Sequence, residues 1–208
     1  DGEGFKIFRN QKNDSTSFSS NYVRALFLDS GSNLWIGGDK GISKYSYEKQ
    51  YFVNYPLPHA PGVWYVSAIA EGPDSTIYVA TSSGELYKRK PGKGFFTEEE
   101  IKWPRKGVTA IRSLLKHHDQ LFIGTNEGLY VYDLRRKTCE LLSLGKNEPM
   151  INEVYVDVDV IWIGTEGRGL YRYGPQKGGF VNYMHKPGEK SVVTGNDVRS
   201  IRADLNGN

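Results

Sequence analysis

The chain has 208 residues, with 27 Lys and Arg against 24 Asp and Glu, for a formal charge of +3. The basic residues are scattered, which argues against a nucleic-acid binder, and the lone Cys139 excludes an internal disulfide. No apolar run reaches the ~18 residues that cross a bilayer, and no signal-peptide pattern is visible.

The elements in order begin with Phe5-Lys6-Ile7-Phe8, an expected outermost strand whose sheet partners precede it. A polar loop over 9–21 leads to Tyr22–Leu28, an expected inner strand. Asp29-Ser30-Gly31-Ser32-Asn33 supplies the residue types of a hairpin turn. Strands are expected over 34–36, 42–47 and 51–55. A second set starts after the loop 56–65, with 66–69 as its inner strand, and a third starts after 97–107, with 108–115. A fourth starts near Asn152, and 198–204 begins a fifth inner strand.

The pattern behind this order is one repeated phrase. Val160-Ile161-Trp162-Ile163-Gly164-Thr165 is too short for a helix and rich in β-branched and aromatic residues, so it reads as a strand buried on both faces. Leu34-Trp35-Ile36-Gly37, Ile77-Tyr78-Val79-Ala80-Thr81 and Leu121-Phe122-Ile123-Gly124-Thr125 repeat it. The small residues Gly37, Ala80, Gly124 and Gly164 recur at intervals of 43, 44 and 40 positions. A strand-only period of about 40–45 residues marks a propeller. The expected fold is all-β, one partial β-propeller domain over 1–208. Four-stranded blades are expected over 22–55, 65–97, 107–142 and 152–183, with partial blade strands at 5–9 and 197–204. The ring is incomplete, so the end blades are expected to expose apolar faces and to self-associate. Gly37, Gly124 and Gly164 are expected to let neighbouring sheets approach closely.

Asn196-Asp197-Val198-Arg199-Ser200-Ile201-Arg202-Ala203-Asp204 with Gly207 resembles the two-component regulator propeller repeat. So do Ile161–Thr165 with Gly169–Tyr173, and Phe180–His185 with Pro187, Ser191 and Asn196. The resemblance spans nearly the whole chain and is weakest in the second blade, where Ala80 replaces Gly and Trp is absent. It implies the extracytoplasmic, periplasmic sensor region of a hybrid two-component system. Such a parent detects an oligosaccharide or related ligand and signals across the inner membrane to a histidine kinase, which regulates transcription. It contacts the membrane only through parts absent from this chain.

No catalytic constellation, cofactor motif or metal signature stands out, so no cofactor, metal or catalytic residue is expected. The pair His117-His118 reads as a solvated turn, because neighbours on a strand face opposite ways. Glu98-Glu99-Glu100 and Arg135-Arg136-Lys137 read as solvated faces. The opening of a calcium-type loop at 204–208 lacks its distal Glu and reads as a hairpin turn. Loops entering the inner strands offer the ligand candidates Tyr22, Trp64, Tyr65, Trp103, Arg105, Asn152 and Asn196. Aromatic faces would receive sugar rings, while Asn and Arg would bond hydroxyls. The alternative for Trp64 and Trp103 is packing on the rim. Two other readings compete with ligand sensing. One is a protein-docking scaffold. The other is a carbohydrate-active enzyme using Glu153 and Asp197 as its acid–base pair.

Overall fold

The computed structural model describes residue 4 and residues 6–58, 64–174, 178–188 and 193–204. Phe5, His59, Ser191, Gly207 and the expected turn at 205–208 lie outside the described residues.

Among the described residues sixteen strands form four antiparallel sheets, each from four consecutive strands. Blade one holds β1 (Val23–Leu28), β2 (Leu34–Gly38), β3 (Gly41–Ser46) and β4 (Tyr51–Tyr55). Blade two holds β5 (Val66–Glu71), β6 (Ile77–Thr81), β7 (Leu86–Arg89) and the two-residue β8 (Thr97–Glu98). Blade three holds β9 (Ile111–His117), β10 (Gln120–Thr125), β11 (Gly128–Asp133) and β12 (Cys139–Leu142). Blade four holds β13 (Ile151–Asp157), β14 (Val160–Thr165), β15 (Leu170–Tyr173) and β16 (Phe180–Tyr183). A short 3-10 turn at Pro73–Ser75 interrupts this all-β order. The inner strand of each blade lies beside the inner strand of the next, β1 with β5, β5 with β9, and β9 with β13. That is propeller geometry, with four blades around part of an axis.

The repeated phrase builds the core because a strand sends alternate side chains to opposite faces. On β6, Ile77 and Val79 join Trp35, Ile42 and Tyr55 between blades one and two. Tyr78 and Ala80, on the other face, join Ile111, Ile123 and Tyr130 between blades two and three. On β10, Leu121 and Ile123 face blade two while Phe122 joins Ile151, Ile161 and Ile163 between blades three and four. Both faces of these strands are therefore apolar, as the run without alternation requires.

The threonine ending the phrase closes the next hairpin. Thr125 Oγ1 donates to the Gly128 carbonyl at 2.8 Å, and Thr165 Oγ1 to the Gly169 carbonyl at 2.7 Å. Both threonines are fully buried.

The small residue before it has a separate task. A Cβ built at Gly124 would meet Ile151 Cγ2 at 2.7 Å, and one at Gly37 would meet Val66 Cγ1 at 2.4 Å. At Gly164 it would meet the Val198 carbonyl oxygen at 2.8 Å. Each glycine thus admits the first residue of the following inner segment. Ala80 fills the same position in blade two and is fully buried. Gly124→Ala is expected to cost about 2 kcal/mol by overpacking. A drop in the urea midpoint at unchanged slope would show it, and an unchanged midpoint would contradict it.

Residues 6–9 and 197–204, expected as strands of further blades, take no strand conformation. Among the described residues neither segment has a ladder partner. Phe8 instead packs edge-on to Tyr45 and Phe52 at the outer side of blade one. Val198 donates its N–H to the Thr165 carbonyl at 3.0 Å and lies over Gly164. The open side of β1 exposes Leu26 and Leu28.

The charge run 98–100 is not uniformly solvated. Glu98 and Glu100 are exposed, but Glu99 is 6% exposed. It accepts from Tyr132 Oη at 2.7 Å and pairs with Lys137 at 2.7 Å and with Lys88. The carboxylate therefore joins blade two to blade three.

Candidate functional site

The site begins with a defect repeated in every inner strand. In β1, Val23 pairs with Gly38 and Ala25 with Gly37, so Arg24 is skipped by the ladder. Ser67 is skipped in β5, Arg112 in β9 and Asn152 in β13, at the same register. A bulge leaves one residue unpaired and re-aims its side chain. Here it turns one residue per blade toward the shared axis.

These four residues line two connected hollows. The first, of about 570 Å3, is walled by β1, β5 and β9, including Arg24, Ser67, Arg112 and Lys116, and is also lined by Glu153 and Arg202. The second, of about 320 Å3, shares Ser67 and Arg112 and adds Tyr65, Asn152, Glu166 and Arg199. Arg24 lies over the Tyr65 ring, 4.9 Å from its centroid, a cation–π contact that orders the guanidinium. Ser67 Oγ and Asn152 Oδ1 are buried and have no hydrogen-bond partner among the described residues. Such atoms cost free energy unless something binds them, water or ligand.

The candidates from the entering loops divide. Tyr65 and Asn152 line the second hollow, and Asn152 Nδ2 also donates to the Val198 carbonyl at 3.2 Å. Tyr22 is exposed and Arg105 is exposed, neither on these hollows. Trp64 packs against the cluster between blades one and two. Trp103 packs edge-on to Tyr130 at 5.0 Å between blades two and three. Asn196 bonds both the amide and the carbonyl of His185, at 2.7 and 3.1 Å, and so pins a loop. Sequence reasoning missed Arg24, Ser67, Arg112 and Arg199. For Arg24, Ser67 and Arg112 the signal was the second position of each inner strand, which reads as an ordinary outward-facing residue until the bulge is known.

The groups weighed for catalysis are engaged elsewhere. Glu153 pairs with Arg202 at 3.0 Å. Asp197 accepts from the Gly167 amide at 2.6 Å, a contact that ties the 197–204 segment to the β14–β15 turn. Burial pushes the Cys139 thiol up to about 12, with the Glu140 carboxylate adding to the rise, so it stays protonated and poorly nucleophilic at neutral pH. Burial lowers the pKa of His117, and the neighbouring His118 and Lys116 lower it further against the pull of Asp159.

The family model for the two component regulator propeller matches residues 17–40, which run from the polar loop through β1 and β2 to the turn before β3. A comparison with curated proteins finds no match. Among solved structures, the chain is similar to the extracellular domain of the putative hybrid two component system BT3049 from B. thetaiotaomicron. The TM-score is 0.78 at 19% identity, over 97% of this chain and 27% of that one. The corresponding domain of BT4673 from the same organism gives a TM-score of 0.77 at 22% identity, over 94% and 26%. Virginiamycin B lyase from Staphylococcus aureus gives 0.65 at 14% identity, over 86% and 59%. The chain spans about a quarter of the length of the two extracellular domains. It carries a two-component regulator propeller repeat at residues 17–40 and shares the fold of these extracellular domains.

Proposed function

We propose that the chain is a ligand-sensing propeller segment from the extracytoplasmic part of a hybrid two-component receptor. It responds to an oligosaccharide, and the signal passes across the inner membrane to a histidine kinase that controls transcription. The observation that carries this is the set of bulged residues. Arg24, Ser67, Arg112 and Asn152 come from four blades at one register and line two adjoining hollows that share Ser67 and Arg112. Fixed hydrogen-bonding groups on rigid strands are what recognition of a polyhydroxylated ligand needs. Among the described residues Ser67 Oγ has no hydrogen-bond partner, so turning it out of the wall toward a ligand hydroxyl would break no existing bond. Periplasmic placement agrees with the extracellular domains it resembles in fold.

The enzyme reading is less favoured, because Glu153 and Asp197 are held by Arg202 and Gly167. The docking reading applies best to the open side of β1, where Leu26 and Leu28 suit the apolar flank of another sheet. Self-association through that side belongs to this reading.

The test is calorimetric titration of the receptor's complete extracytoplasmic region with a panel of oligosaccharides. Arg112→Ala removes a charged donor and is expected to weaken binding by about 1.5 kcal/mol or more, over tenfold. Trp103→Ala is expected to lower stability without selective loss of affinity. Binding of no oligosaccharide, or full affinity in Arg112→Ala, would remove the support for this reading.

A further inference from the structure

A second group of donors lies at the hairpin tips of blades three and four, apart from the groove. His117 ends β9, and His118-Asp119 makes the turn into β10. His118 takes a left-handed φ of 49°. The chain leaves the strand there, so the two imidazoles do not diverge as strand neighbours would. Their centroids are 4.1 Å apart. In blade four the matching turn is Val158-Asp159, with Val158 also left-handed at φ 54°. That turn delivers Asp159 to the same place from the adjacent blade.

One donor atom from each of His117, His118 and Asp159 can be chosen so that all lie within 4.8 Å of one another. Asp119, in the same blade-three turn, pairs with Arg135 at 2.8 Å. His117 is half-buried, and its ring meets Phe122 edge-on at 6.4 Å, which limits its rotation. The other two side chains are exposed and can adjust.

We propose that His117, His118 and Asp159 form a binding site for a divalent transition-metal ion, with zinc the best match. Two imidazoles and one carboxylate are borderline donors that suit zinc, whereas calcium and magnesium prefer oxygen alone. Tetrahedral zinc with bonds of about 2.0–2.1 Å needs donors roughly 3.3 Å apart, so the exposed His118 and Asp159 side chains would close in from the present separations of up to 4.8 Å. Three protein ligands leave one position for water or for a ligand from another molecule. The site would tie the tip of blade three to the tip of blade four.

The test is titration of the chain with zinc by calorimetry and with cobalt by visible absorption. One ion per chain is expected, with a tetrahedral cobalt spectrum and no response to magnesium. His118→Ala and Asp159→Asn each change an exposed ligand. Each is expected to lower zinc affinity by at least about tenfold, since even changes to groups behind a ligand cost 10–100-fold. Each is also expected to reduce the rise in melting temperature that a fixed zinc concentration gives the parent chain. Absence of saturable zinc binding, equal binding of magnesium, or unchanged affinity in Asp159→Asn would overturn the proposal. The last result would mean a two-histidine surface contact and no site shared between blades.

Discussion

Trp35→Ala is expected to cost about 4 kcal/mol, within the range for removing a buried large aromatic side chain. Trp35 is 1% exposed and sits in the cluster joining blades one and two. Its ring lies 5.7 Å from Tyr55 and 6.3 Å from Phe96, so alanine would leave a gap facing two rigid rings. Lys44 and Arg89 lie over its faces at 5.6 and 5.7 Å and would lose that contact. Its Nε1 donates to Asp29 at 2.8 Å. Burial raises the Asp29 pKa, but the bonds from Trp35 and Asn33 outweigh it and hold the carboxyl below its usual range. Trp162 occupies the same place in the repeat but is only half-buried, so Trp162→Ala should cost clearly less. Urea unfolding of the two variants side by side checks both the size and the order. Equal losses would mean that repeat position, not burial, sets the energy.

Glu99→Ala is expected to cost about 3 kcal/mol, because removing one partner of a buried ion pair leaves the others without compensation. Tyr132 is 2% exposed and the Lys88 side chain 27% exposed, so both lose a partner that water replaces poorly. The Lys137 side chain is 47% exposed and contributes less. Burial raises the Glu99 pKa, but the bonds from Lys137, Lys88 and Tyr132 prevail and hold it below 4.5. A depressed carboxyl stabilises the fold above its unfolded pKa and loses that contribution as the pH falls through its folded value. Stability of the parent chain should therefore decline below about pH 4.5, through this group, more steeply than that of Glu99→Ala. Parallel pH–stability curves for the two would show that Glu99 is not the group responsible.

The architecture was legible because it rests on a short-range rule repeated four times. Apolar residues at successive positions demand cover on both faces, and Gly or Ala at a fixed place demands a close neighbour. Ile163-Gly164-Thr165 states both requirements within three residues. The site was legible only in part, since a bulge has no residue signature of its own. Arg112 and Ser113 look like any outward–inward pair, and only the pairing register shows that Arg112 has left the ladder. Trp64 and Trp103 drew attention as loop aromatics, yet each lies against an interblade cluster. Glu99 reads from sequence like Glu98 and Glu100. Its burial depends on Tyr132 and Lys137, more than thirty positions further on. The meeting of His118 with Asp159 likewise depends on two hairpins being set side by side.

The strictly consecutive strand order within each sheet has a kinetic consequence. Every backbone ladder is closed by residues a few dozen positions apart at most. During synthesis, one sheet can complete its pairing while the next is still in the ribosome. Only lateral burial of its second face has to wait. Assembly can then advance from the first sheet to the fourth as successive docking steps, each covering what the previous one left bare, with little loop-closure entropy to overcome at any stage.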